Sequence, residues 1–215
     1  MAHYLGFDLE TGGFDMVNHT INEAYFAIWD KDWNLLEDLH LYLKNDEGKI
    51  HGTKEAFKVT DINPEEHLDN PDTITYTEGR EKLIAMLNRH KIPRKQKHYR
   101  FLGQNIVAFD IPFMKIQGFL TESQMKKCGI NHNSLDTTGI VTWLKELDML
   151  PGNVGSISSL IEYFGLPKGT AHRAKDDVHM QKEIYIRLCD IMKKASQANL
   201  MSVGQDNDLL KIVEL

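Results

Sequence analysis

Cysteine is nearly absent: Cys128 and Cys189 are the only two in 215 residues. They lie far apart and form no C-x-x-C pair, which excludes a disulfide framework or a zinc knuckle and suggests a reducing compartment. Long apolar runs are lacking as well. The longest, about Ala24 to Trp29, falls far short of the ~20 residues a membrane helix needs. No basic stretch precedes Asp8, so no secretory signal is expected. These readings make the protein cytoplasmic, with no membrane partner. Positive charge is in deficit, with 25 Lys and Arg against 31 Asp and Glu, a net −6. Broad electrostatic coating of a duplex is therefore disfavoured, but a site whose acids are neutralised by metal ions is compatible with that balance. There is no internal repeat or low-complexity stretch. The 41% hydrophobic content is that of a folded chain, and the length suits one domain over residues 1–195 with a tail at 196–215. That tail is available to dock on the domain or on a protein partner.

What is present reads as strands first and helices later. In His3 to Leu9, Leu5, Phe7 and Leu9 share one face, opposite Tyr4, Gly6, Asp8 and Glu10, and a turn signal follows at Thr11-Gly12-Gly13. Asn22–Trp29 and Leu35–Leu43 read as a second and a third strand of a meander. A polar segment holds one short helix near Lys54 to Val59, and Glu78 to His90 is a further helix ended before Pro93. Tyr99–Leu102 and Ser134–Asp136 read as short strands. Helices are expected at Phe109–Gly118, around Ile140 to Leu147, and at Ser156–Phe164, where Ser156 is the N-cap and Gly165 the C′ residue. The last runs from about Ala174 to Lys194. Strands followed by strand–helix alternation predict an α/β protein, a mixed sheet flanked by helices.

Asp8 and Glu10, two apart on the first strand, place both carboxylates on one face at its C-terminal end, where open α/β sheets hold ligands. Neighbouring carboxylates stay ionised only where cations or donors compensate them, and hard oxygen ligands suit Mg²⁺ or Mn²⁺. A strand end meeting solvent would read the same way. Asp110 should open a helix near the same sheet edge, as a ligand or as an N-cap. His172 and Asp177 sit five apart at the start of the last helix. That spacing recurs at His3/Asp8 and His67/Asp72, so it carries little alone.

The order of these pieces carries more. Asp8-x-Glu10, then Asn105-x-x-x-Phe109-Asp110, then His172-x-Ala174-x-x-Asp177 resembles the DEDDh group of 3′→5′ exonucleases, DnaQ-like members of the ribonuclease H-like superfamily. Thr20 to Ala24 resembles the family's second strand, and Phe57 to Ile62 the segment after its third. Ser158 to Leu166 resembles the lead-in to the last motif. The resemblance covers about Tyr4 to Leu188. One departure is Gln104, where many relatives have histidine, and the Asn105–Asp110 spacing is the longer of the family's two forms; both bear on subfamily and substrate.

The resemblance implies a ribonuclease H-like mixed five-stranded sheet and a metal-dependent hydrolase. Asp8, Glu10, Asp110 and Asp177 would be the metal ligands and His172 the general base. Two divalent ions, Mg²⁺ with Mn²⁺ able to substitute, would lie about 3.5–4 Å apart across the scissile phosphate. The substrate implied is the 3′ end of single-stranded or frayed nucleic acid, DNA favoured over RNA, with release of nucleoside 5′-monophosphates. Thr11, Gly12, Phe14 and Asn105 are candidate substrate-binding residues, Phe14 as a stacking wedge. Two alternatives are an exoribonuclease or oligonucleotidase, and a proofreading-type subunit of a larger complex. Lys91, Arg94, Lys95, Lys97 and Arg100 with Tyr99 form a basic cluster that reads either as a solvated loop or as a phosphate-tracking patch.

Overall fold

The computed structural model describes residues 2–167 and 173–203, with residues 132 and 198–203 as backbone alone. β1 (His3–Thr11) pairs antiparallel with β2 (Ile21–Trp29), which pairs antiparallel with β3 (Leu35–Lys44). Two short helices follow, α1 (Lys54–Val59) and α2 (Pro64–Asp69). Next come β4 (Thr73–Thr75), parallel to β3, and α3 (Tyr76–Arg89). β5 (Tyr99–Gly103) lies parallel to β1; α4 (Asp110–Ile116), α5 (Glu122–Lys127) and β6 (Ile130–Asp136), parallel to β5, follow it. The chain continues through α6 (Thr137–Glu146) and α7 (Ile157–Phe164) into α8 (Ala174–Val203). Among the described residues the sheet order is β4-β3-β2-β1-β5-β6, a mixed sheet with β1 in its interior.

The pleat of β1 decides what each layer holds. Leu5, Phe7 and Leu9 point to one face, where Phe26 and Phe101 pack with Leu83 and Leu87 of α3 and Phe113 and Met114 of α4. On the other face Tyr25, Trp29 and Leu102 meet Ala174 and Val178 at the start of α8. α6 and α7 lean on α8 through Leu144, Leu160, Ile184 and Leu188. Asp8 and Glu10 belong to this second face, so the same side that receives α8 carries the acids.

The α/β architecture agrees with the sequence expectation, with local differences. The sheet has six strands rather than five, because Thr73–Thr75 adds to the β3 edge and three residues are too few to show a period. α2 and α5 are additional to the expected helices. α2 is started by Asn63, whose side chain accepts from the Glu65 and Glu66 amides, with Pro64 at its first turn. α5 is started by a Thr121–Gln124 capping box. β6 begins at Ile130, four residues earlier than expected; its Asn131-His132-Asn133 stretch has no apolar alternation, and its pairing with β5 shifts between Arg100 and Leu102. α7 has the expected ends: Ser156 caps it and Gly165 closes it in the left-handed region. α8 runs to Val203, beyond the expected Lys194, so the first part of the 196–215 tail is helix; 204–215 lie outside the described residues. No helix among the described residues is long and apolar enough to cross a membrane.

Candidate active site

The C-terminal end of β1 and the first turn of α8 converge on one cluster. Asp8, Glu10 and Asp177 each offer a carboxylate oxygen, and these oxygens lie within 4.8 Å of one another. Asp8 and Asp177 are half-buried, and Glu10 is only 7% exposed. Asp110, 5% exposed, opens α4 at the neighbouring sheet edge, outside that trio but close enough to act on its charges. It is the first helical residue rather than the cap, since Phe109 holds the cap position without a side-chain bond. The backbone amides of Asp110 itself and of Leu9, which lies between the two acids of β1, act on its carboxyl to lower its pKa.

Electrostatics set the cluster's chemistry. Burial raises the Asp8 carboxyl well above its ordinary range, and Asp110, Glu10 and Asp177 push it the same way. Burial and the neighbouring Glu23 raise Glu10 to about 8, with Arg173 the opposing influence. Burial likewise lifts Asp110, while backbone donors resist. Four carboxylates held together in a partly dry setting are a strained anion cluster, which a hard divalent cation would relieve. The donor set therefore fits Mg²⁺ or Mn²⁺.

Several contributors were not singled out from sequence. Glu23 stands opposite Glu10 across the β1–β2 pair and is buried, with His40 Nε2 2.7 Å and Arg173 Nε 4.0 Å from its Oε1. The available signal was an acid within a mostly apolar strand, Ile21 to Trp29. A cavity of about 400 Å³ opens beside it, lined also by Tyr42, Thr60 and Asn63. Another, of about 600 Å³, lies among Phe101, Ile111, Met125 and Ile130 and includes none of the four acids. Gln181, one turn beyond Asp177, donates from Nε2 to Asp8 Oδ1 at 3.0 Å.

The candidate substrate residues divide. Thr11 and Gly12 build the turn after β1. The Thr11 hydroxyl donates to the Gly13 carbonyl, the Gly12 amide donates to Thr20, and its carbonyl accepts from Thr53. A Cβ at Gly12 would stand 1.9 Å from the His51 carbonyl oxygen, so only glycine fits this crossing. The Gly12 amide and carbonyl are thus both engaged within the fold. Phe14, by contrast, is 89% exposed, its ring edge-on to half-buried Phe109 at 5.9 Å. Asn105 is exposed with a φ of +59°, and its backbone amide donates to Asp136 Oδ1 at 2.9 Å and Thr138 Oγ1 at 3.0 Å. Asp136, the cap of α6, also accepts from the amides of Val107 and Thr138. This one carboxylate therefore holds the loop leading into Asp110. Asp136→Ala leaves the Val107 amide without its acceptor, removes one of the two at Asn105, and should cost about 2 kcal/mol. Urea unfolding measures it, and an unchanged midpoint would contradict this role for Asp136.

Of the basic cluster, Tyr99 is fully buried, and its hydroxyl donates to the Leu87 carbonyl. It belongs to the core rather than to an exposed patch; Lys91, Arg94, Lys95 and Lys97 are exposed. His172 lies outside the described residues.

A central mixed sheet with α3, α4 and α5 on one face and α8, backed by α6 and α7, on the other agrees with the ribonuclease H-like fold that the sequence resemblance implies. Solved structures narrow the comparison: the fold is similar to that of a part of exonuclease I. The zinc-bound form of the E. coli exonuclease I complex with single-stranded DNA aligns with a TM-score of 0.71 and 16% identity, over 100% of this chain and 45% of that one. The E. coli enzyme with a dT13 oligonucleotide aligns at 0.69 and 17%, over 94% and 43%. A moderately thermophilic exonuclease I from Methylocaldum szegediense aligns at 0.67 and 16%, over 87% and 40%. The chain thus spans less than half the length of these proteins. No family model matches the chain, and no curated protein matches it in sequence.

Proposed function

We propose that the protein is a metal-dependent 3′→5′ exonuclease of the DEDDh type that shortens single-stranded or frayed DNA and releases nucleoside 5′-monophosphates. The observation that carries this reading is the convergence of Asp8, Glu10 and Asp177 within 4.8 Å, with Asp110 beside them, on a fold shared with exonuclease I. Asp8, Glu10 and Asp177 would hold the cation that serves the attacking water, and Asp110 would serve the second ion. Divalent ions at such a site lower the pKa of a bound water and neutralise charge on the phosphate. His172, carried over from the sequence resemblance, takes the proton of the attacking water, a task suited to an imidazole with a pKa near 6.5. Exposed Phe14, braced edge-on against Phe109, offers a ring face on which a terminal base can stack with little sequence preference. The Asp136-anchored loop keeps Asp110 in register with β1.

The DNA preference draws support from the exonuclease I structures solved with single-stranded DNA and a dT13 oligonucleotide. An exoribonuclease acting on short oligonucleotides is the second reading, since among the described residues no group at the site stands out as excluding a 2′-hydroxyl. Matched DNA and RNA oligonucleotides, digested with Mg²⁺ and analysed by chromatography, decide between them. Faster DNA loss with nucleoside 5′-monophosphates as product is expected. Nucleoside 3′-monophosphates, or release from the 5′ end, would overturn the proposal. Faster RNA loss would move the assignment to the second reading.

A further inference from the structure

Gln181 lies four residues beyond Asp177 on α8, so the two side chains share one helix face. It is 1% exposed, in the layer between α8 and the sheet. Its Nε2 donates to Asp8 Oδ1 at 3.0 Å, while its buried Oε1 has no hydrogen-bond partner among the described residues. A buried amide with an idle acceptor is a poor choice for packing alone, because an apolar side chain of similar volume would fill the space without an unsatisfied oxygen. Gly103, the last residue of β5, leaves room for it: a Cβ there would come within 3.1 Å of Gln181 Oε1 and 2.4 Å of Ile106 Cγ2. The remaining explanation is the bond it makes. One turn of α8 thus delivers both a carboxylate, Asp177, and a donor that fixes the rotamer of a second carboxylate, Asp8.

We infer that Gln181 is a positioning residue of the metal site: its amide holds the Asp8 carboxylate toward Glu10 and Asp177, so that the ligand set stands formed before a cation arrives. The inference rests on the proposed reading of these acids as metal ligands. Outer groups that orient ligands typically carry 10–100-fold in metal affinity or activity.

Gln181→Met keeps the volume and removes the donor. Mn²⁺ binding to the protein alone, followed by calorimetry or electron paramagnetic resonance, should weaken by roughly 10–100-fold. The Mg²⁺ concentration for half-maximal cleavage should rise in parallel, while KM for the oligonucleotide at saturating Mg²⁺ stays unchanged. The melting temperature should hold or rise, which separates orientation from support of the fold. Wild-type Mn²⁺ affinity in the variant would overturn the inference and leave Gln181 as packing. If the wild-type protein itself takes up no Mn²⁺, the metal-site reading fails first. Should Gln181→Met not fold, Gln181→Asn is read in the same way; it keeps the amide but falls a methylene short of Asp8.

Discussion

Asp177→Ala should lower the rate of the proposed 3′-end cleavage by at least about 1,000-fold, close to 4 kcal/mol of transition-state stabilisation. The substitution removes one of three oxygens that lie within 4.8 Å of one another and leaves the α8–sheet contacts of Ala174 and Val178 in place. A half-buried residue in the first turn of a 30-residue helix contributes little to packing, so the loss should appear in rate and not in fold. Asp176→Ala is the matched control. It sits in the same turn, with the same sign of charge and the same half-burial, but outside the trio. Its expected rate is within a few-fold of wild type. Single-turnover cleavage with circular dichroism on each variant makes the comparison, and equal losses at the two positions would contradict the assignment of Asp177.

Without divalent metal, the protein should lose stability as pH rises from 6.5 to 8.5. Glu10 has its folded-state pKa raised from 4.5 to about 8, and Asp8 and Asp110 move in the same direction. A carboxyl raised on folding binds its proton more tightly in the native state. Its stabilising contribution is complete below the unfolded value and is lost as pH climbs through the folded one. Between 6.5 and 8 that amounts to about 2 kcal/mol for Glu10 alone, or a fall of roughly 4 °C or more in melting temperature. Burial lowers His3, His98 and His179 below 6.5, so these three act beneath this window. Mg²⁺ should reverse the trend, stabilising most at pH 8.5, and Glu10→Gln should flatten it. Scanning calorimetry with EDTA and with Mg²⁺ reads both arms. A metal-free melting temperature that holds or climbs across the window would contradict the reading of the acids as an uncompensated cluster.

Most of the fold was legible where the pattern is local. The alternation in β1 separated Leu5, Phe7 and Leu9 from Asp8 and Glu10, and the i, i+3, i+4 spacing with Ser156 and Gly165 marked α7 at both ends. Short elements escaped because their evidence is non-local. β4 exists only through its pairing with Tyr42, Leu43 and Lys44, and the start of β6 is polar and shifted in register. The acids of the site could be read singly as a strand end, a helix start and a coincidence; their order along the chain joined them. Their supports could not be read that way. Glu23 meets Glu10 through strand register, Gln181 meets Asp8 across 173 residues, and Asp136 reaches Asn105 across 31. The first depends on the β1–β2 register, the second on how α8 closes on the sheet, and the third on the pairing of β6 beside β5.

The central claim is that the Asp8–Glu10–Asp177 cluster carries a divalent ion that cleaves from the 3′ end. A gel assay on 5′-labelled single-stranded DNA, with Mg²⁺, with Mn²⁺ and with EDTA, tests it most directly. The account predicts a ladder shortening from the 3′ end with either metal and none with EDTA. Cleavage that persists undiminished in EDTA, or no cleavage with either metal, would contradict it.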